Sequence, residues 1–125
     1  MRELLFVFLG GGIGSCCRFV LSKWLNQIFH SFPLGTFTAN ILSCIVLGAA
    51  LFLFEHKFPM NTYLKTLILV GFCGGFSTFS TFTNETLLLL RNGQITESIL
   101  YMGGSLVLGL SALLAGFFLG KMILN

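Results

Sequence analysis

The sequence predicts an all-α membrane protein in which four helices cross the lipid bilayer. Charged residues make up 9% of the 125 residues, whereas ordinary soluble domains carry about 25%. Apolar residues make up 55%, and the mean hydropathy is +0.94. A soluble domain of this length could not cover so much apolar surface, so the chain is predicted to lie in a membrane as one domain.

Four apolar segments are long enough for the ~30 Å hydrocarbon core of a bilayer, which takes about 20 helical residues. They cover residues 4–24, 35–54, 63–90 and 99–119, and short loops separate them. The loop 26–34 contains Pro33, and the loop 91–97 contains an Asn-Gly turn. No small-residue cleavage site follows a short apolar core near the N-terminus, so the first segment is predicted to be an uncleaved span. We therefore predict a single multi-pass domain over residues 1–125.

The charge distribution predicts insertion in both orientations. Four basic residues fall on the face of the N-terminus and three on the other face: Arg2, Lys57, Lys65 and Lys121 against Arg18, Lys23 and Arg91. The Lys/Arg bias that normally orients a membrane protein is therefore nearly absent. Since four short helices enclose little space, we expect an antiparallel homodimer. The scattered basic residues exclude a nucleic-acid partner.

Small residues four apart also point to close helix packing. Glycine pairs at this spacing occur at 10/14, 71/75 and 116/120. Such spacing lets helix backbones approach closely in lipid, either within one subunit or between subunits.

The third segment combines helix-weakening residues with hydroxyls in its centre. A straight helix of 28 residues would be about 42 Å long, which exceeds the membrane. Tilt or a break can resolve the excess length. The stretch "GFCGGFSTFSTF" (71–82) contains the pair Gly74-Gly75, followed by side chains that can bind freed backbone groups. We predict that this helix is broken at Phe76–Ser77, near the bilayer midplane.

A break at that depth predicts an ion site. Irregular backbone inside the membrane is tolerated only when it is buried in protein or lines a polar cavity. In an antiparallel dimer the two breaks would face each other on the two-fold axis and present carbonyl oxygens. Clustered carbonyls in a dry place suit a hard cation, and Na⁺ would fit.

Several side chains could line an anion pathway, each with a simpler alternative. Phe79 and Phe82 share one helical face, and their positive ring edges could contact an anion, although packing is the simpler role. Asn40 offers two N–H donors to an anion or an interhelical hydrogen bond. Tyr101 and Ser105 lie four apart on one face and can both donate.

Two ionisable residues leave their roles open. Arg18, near the end of its span, either places its charge at the interface or draws anions into a vestibule. Glu85 lies one turn beyond Phe82, and it belongs either to an ion pathway or to the solvated end of its span.

The four cysteines lie inside apolar segments and form no Cys-x-x-Cys pair: Cys16, Cys17, Cys44 and Cys73. We expect reduced, buried side chains and neither disulfides nor a metal site.

Three segments resemble motifs of the CrcB (Fluc) family of small fluoride channels. They are "GFCGGFSTFSTF" (71–82), "GGIGSCCRF" (11–19) and "GTFTANILSCIVLG" (35–48), and the resemblance covers essentially the whole chain. It implies an antiparallel homodimer in the cell membrane with two pores. These pores would release fluoride passively and reduce its toxicity in the cytoplasm. It also implies that the protein is not an enzyme.

The resemblance assigns roles by motif position. Main-chain carbonyls of Gly74 and Ser77 would hold a structural Na⁺ on the dimer axis. The fluoride pathway would include the residues Arg18, Asn40, Phe79, Ser80, Thr81, Phe82, Tyr101 and Ser105. Ser77 replaces the usual threonine, which matters little if its carbonyl is the ligand. Gly109 stands where a further serine of the polar track is expected, which leaves that level of the pathway undefined.

Two other classes compete with this interpretation. A small proton-coupled transporter of organic cations also has four short helices and dual topology. It requires a carboxylate in the middle of its first helix, and this chain has none between Glu3 and Trp24. A structural membrane subunit would not need glycines and hydroxyls at the bilayer midplane.

Overall fold

The protein is described here by a computed structural model that covers residues 1–28, 32–58 and 61–124. All regular elements in these ranges are helical, and three of them are long: α1 (Arg2–Ile28), α2 (Leu34–His56) and α6 (Ile95–Leu124). The third span comprises α3 (Thr62–Lys65), a π-helical stretch (Thr66–Phe72), α4 (Cys73–Phe76) and α5 (Phe79–Arg91).

Four helical spans are long and apolar enough to cross a membrane, which confirms the predicted all-α class. They are Arg2–Ile28, Leu34–His56, Thr62–Arg91 and Ile95–Leu124. Each continues past the apolar segment predicted for it, because polar residues at the segment ends extend the helix.

Glycines bring α1 into backbone contact with the third span. A Cβ atom at Gly10 would overlap the carbonyl oxygen of Leu67, and one at Gly14 would overlap that of Phe72. A Cβ atom at Gly75 would likewise overlap the carbonyl oxygen of Gly11. These contacts show why small residues recur four apart, since any side chain would push the helices apart.

A second helix pair, α2 and α6, is packed in the same way. A Cβ atom at Gly48 would overlap the carbonyl oxygen of Leu113, and one at Gly116 would overlap that of Ile45. The small residues that recur four apart in the sequence therefore allow close helix packing within one chain, at both helix pairs.

The turn between α5 and α6 has the predicted Asn-Gly form. Gly93 has a φ of 76°, in the left-handed region that favours glycine. Its N–H donates to the carbonyl of Leu90, and the N–H of Gln94 donates to that of Leu89. The two hydrogen bonds close the C-terminal end of α5 before α6 begins.

The four cysteines are free thiols, but only Cys73 is buried. Cys44 is partly buried, whereas Cys16 and Cys17 are exposed. The expectation of burial is therefore wrong for the last two, because their side chains lie on the outer surface of α1.

Candidate functional site

Two residues of extended backbone separate α4 from α5. Ser77 has φ and ψ angles of −82° and 159°, and Thr78 has angles of −153° and 123°. Thr78 caps the N-terminus of α5, since its hydroxyl accepts a hydrogen bond from the N–H of Thr81 at 3.3 Å. Such a capping residue satisfies one of the free N–H groups at a helix start.

Side chains of α2 bind the backbone around these two residues. The N–H of Thr78 donates to Asn40 Oδ1 at 2.8 Å, and Asn40 Nδ2 donates back to the Thr78 carbonyl at 3.3 Å. One turn further along α2, Ser43 Oγ donates to the carbonyl of Cys73 at 3.0 Å. The amide of Asn40 therefore keeps one N–H that is not used in this pair.

Arg18 binds the same region from α1. Its Nε donates to the carbonyl oxygen of Gly75 at 3.0 Å, and Ser15 Oγ lies 3.4 Å from that oxygen. The structure thus places the guanidinium of Arg18 on the backbone of α4, where it satisfies a carbonyl freed by the end of the helix.

The carbonyl oxygens of Gly74 and Ser77 lack their usual helical donors. The N–H of Thr78 binds Asn40 in place of Gly74, and the N–H of Thr81 binds the Thr78 hydroxyl in place of Ser77. Across residues 1–28, 32–58 and 61–124, neither oxygen accepts a hydrogen bond. Gly74 is also exposed, and a Cβ atom there would meet nothing within 4 Å. Two free carbonyl oxygens of this kind fit the ligand preference of a hard cation.

A cavity of about 450 Å³ lies beside the extended residues. It brings together four of the predicted pathway residues, namely Asn40, Phe79, Phe82 and Ser105. Most of the remaining wall is apolar, and the hydroxyl of Ser105 is buried with no hydrogen-bond partner among the described residues. The cavity therefore combines two phenylalanine rings with a few neutral polar groups.

The two phenylalanines differ in their surroundings. The ring of Phe82 lies 5.0 Å from that of Tyr101 and 5.9 Å from that of Phe79, measured between centroids. Phe79 is 80% exposed. A large aromatic side chain with so little cover on its own chain is typical of a surface that meets lipid or another protein.

Tyr101 lies outside the cavity wall and binds a carboxylate. Its side chain is fully buried, and its hydroxyl donates to Glu85 Oε2 at 2.7 Å. The other oxygen of Glu85 accepts a hydrogen bond from Thr36 Oγ1 at 2.8 Å. Glu85 is therefore bound by one side chain of α2 and one of α6. The sequence alone had left the surroundings of Glu85 undecided.

The hydroxyls of Ser80 and Thr81 are directed at the cap of α5. Thr78 Oγ1 lies 3.3 Å from Ser80 Oγ and donates to Thr81 Oγ1 at 3.1 Å. Neither residue is part of the cavity wall.

Sequence reasoning missed the residues of α2 that bind Glu85 and the backbone of α4. Thr36 and Ser43 lie 49 and 30 positions from their partners, so no local pattern identifies them. Thr78 was identifiable in principle, because threonine is a favoured N-cap residue and stands directly before a new helix.

Comparison with known proteins shows the family to which the chain belongs. Residues 5–117 match the family described as CrcB-like protein, Camphor Resistance (CrcB). A fluoride-specific ion channel FluC of Phocaeicola vulgatus is 39% identical over 122 residues, which cover 97% of this chain and 100% of the relative. The FluC of Maridesulfovibrio salexigens is 36% identical over 126 residues, with 100% of each chain covered. That of Klebsiella pneumoniae is 44% identical over 94 residues, or 75% of this chain and 74% of the relative. On this match, and on the four apolar helices that accompany it, the chain belongs to the CrcB family.

Proposed function

We propose that the protein is a fluoride channel of the cell membrane, which it crosses several times. The observation that carries the proposal is the cavity beside Ser77 and Thr78, in which neutral donors and phenylalanine rings meet. The names of the relatives support the same substrate.

The chemistry of the cavity suits a small, strongly hydrated anion. Asn40 has one free N–H and Ser105 one free hydroxyl, and these can replace part of the water around fluoride. Phe79 and Phe82 add positive ring edges. Among the residues that the structure describes, no cationic side chain lines the cavity, so none is present to hold fluoride tightly. A conducting site must allow an ion to enter favourably and also to leave.

Conduction in this proposal is passive. Fluoride leaves the cell down its own gradient, and this lowers its toxicity in the cytoplasm. No chemical step takes place, so the protein is not an enzyme.

The functional unit is proposed to be an antiparallel homodimer whose third helices are broken near the bilayer midplane. The extended backbone of Ser77 and Thr78 supports the break. The near balance of basic residues on the two faces supports insertion in both orientations. The exposed ring of Phe79 supports a second copy that covers it and completes the pathway.

A structural Na⁺ on the dimer axis would be held by the main-chain oxygens of Gly74 and Ser77 from each subunit. Both oxygens lack a donor within the described part of the chain, and this supports the assignment. When bound, the cation supplies positive charge that offsets carbonyl dipoles in a dry environment. The residues of the chain provide the remaining support: Asn40, Ser43 and Arg18 hold the backbone on either side.

A proton-coupled transporter of organic cations is not supported. The relatives described above are named as fluoride channels, and α1 carries no carboxylate between Glu3 and Trp24.

The test is fluoride release from liposomes. Purified protein is reconstituted into vesicles loaded with potassium fluoride, and a potassium ionophore is added while an electrode records external fluoride. We expect rapid release from protein-containing vesicles and none from empty ones. Folded protein that releases no fluoride would overturn the channel assignment.

A further inference from the structure

We propose that the thiol of Cys44 lines the fluoride pathway and acts as its hydrogen-bond donor at the level of Gly109. This inference rests on the proposed function. It assigns a role to Cys44, which the sequence predicts to be only a small, buried side chain.

Cys44 stands on the pathway face of α2. It follows Asn40 by four residues, which places both side chains on one side of the helix about 6 Å apart along its axis. Both residues line the cavity. The thiol therefore continues the line of polar groups that begins at Asn40.

The facing helix offers no side chain at this level. Gly109 of α6 also lines the cavity, and a Cβ atom there would lie 3.8 Å from Cys44 Sγ. Ser105, one turn earlier on α6, supplies the preceding hydroxyl, which is buried and has no hydrogen-bond partner in the described part of the chain. Because residue 109 is a glycine, no side chain of α6 at this position separates the Cys44 thiol from the cavity.

A thiol is a suitable hydrogen-bond donor for an ion that must not be bound tightly. Its S–H is a weak donor, so it contributes less binding than a serine hydroxyl. Fluoride that leaves Asn40 and Ser105 thereby meets one further weak donor and no charge. This matches the general requirement that sites along a conducting path release the ion again.

Replacement of the thiol tests its role as a donor. We expect Cys44→Ala to lower fluoride release about threefold, as for the loss of one weak hydrogen bond. Cys44→Ser keeps a donor and should retain about half of the release or more. Equal release from Cys44→Ala and wild type, with equal amounts of folded protein in the vesicles, would contradict the proposal.

Modification of the thiol tests its position. Methyl methanethiosulfonate transfers a methylthio group to the sulfur: a disulfide bond forms, methanesulfinate leaves, and the thiol proton passes to solvent. The added group fills the narrow space beside Gly109, so release should fall about tenfold and recover after reduction with dithiothreitol.

Two variants make this result specific to Cys44. Cys44→Ser should be insensitive to the reagent, whereas a Cys16→Ser/Cys17→Ser double variant should remain sensitive, since the two exposed thiols that it lacks lie outside the cavity. Continued inhibition of Cys44→Ser would refute the assignment. So would unchanged release after the reagent, whether or not mass spectrometry finds Cys44 modified. Failure of the proposed function is distinguishable, because untreated wild-type protein would then release no fluoride.

Discussion

The carboxamide of Asn40 pairs with the backbone of Thr78 through both of its polar atoms. Asn40 Oδ1 accepts from the Thr78 N–H at 2.8 Å, and Asn40 Nδ2 donates to the Thr78 carbonyl at 3.3 Å. The Asn40 carboxamide thus forms the two hydrogen bonds that a neighbouring strand would form. They hold the extended backbone at Thr78 between α4 and α5. The residue expected to bind an anion therefore also supports the main chain beside the cavity.

Substitution of Asn40 should cost both stability and conduction. Asn40→Ala leaves the N–H and carbonyl of Thr78 without partners, and we expect a loss of about 1–3 kcal/mol in the free energy of unfolding in detergent. Fluoride release should fall at least about tenfold, because a free N–H donor is lost as well. The same change at the exposed Asn84 of α5 is the control, which should alter neither measurement. An Asn40→Ala protein that unfolds like wild type would contradict this account.

Arg18 is expected to act through its hydrogen bond to Gly75 and not through charge alone. Arg18→Met removes a donor from a carbonyl at the end of α4, and should lower the free energy of unfolding by about 1.5–3 kcal/mol. Removal of a charge from the exposed Lys23 of the same helix should change it by less than about 0.5 kcal/mol. Arg18→Lys keeps the charge but lacks the Nε donor. If the free energy of unfolding of Arg18→Lys equalled that of wild type, the charge and not the Nε hydrogen bond would be the stabilising feature.

The two phenylalanines should affect conduction more than assembly. Phe79→Ile and Phe82→Ile remove the positive ring edges from the cavity, and each should lower fluoride release about tenfold or more. Size-exclusion chromatography in detergent should show the same elution profile as wild type. Phe8, which is 76% exposed on α1, provides the matched Phe→Ile control. Normal release from both pathway variants would mean that these rings only pack.

The glycines of α1 allow a comparison within a single stretch of sequence. Gly10→Ala places a methyl group on the Leu67 carbonyl and should destabilise the protein by about 1–3 kcal/mol. Gly12 has no neighbour within 4 Å of an added Cβ, so Gly12→Ala should be neutral or slightly stabilising. The measurement is thermal unfolding of both variants in the same detergent. Equal melting temperatures would show that α1 can move away from the third span at little cost.

The parts of the fold that local sequence determines were predictable. Apolar segment length identified four spans, and the Asn-Gly pair identified the turn at Gly93. Glycines and hydroxyls in "GFCGGFSTF" weaken a helix and marked the region in which Ser77 and Thr78 are extended, whereas the broken third helix stays a prediction.

Contacts between distant positions were not predictable in the same way. Glu85 is bound by Thr36, 49 positions away, and by Tyr101 across a turn. Nothing in the residues around Glu85 selects these partners, because helix packing decides which faces meet. The π-helical stretch Thr66–Phe72 is another example. It packs against α1, and its composition resembles that of any apolar helix.

The backbone contacts of Gly10, Gly14 and Gly75 also limit how the chain can change in length. Insertion of a single residue before Gly10 in α1 would rotate everything upstream by about 100° relative to the glycines, whereas insertion between Gly10 and Gly14 would separate the two onto different sides of the helix. At one of the two contacts with the third span, a residue with a larger side chain would then take the place of the glycine. Additions or deletions between Gly10 and Gly14 should therefore disrupt the packing of α1 against the third span, whereas changes in length at the helix ends leave these contacts in place.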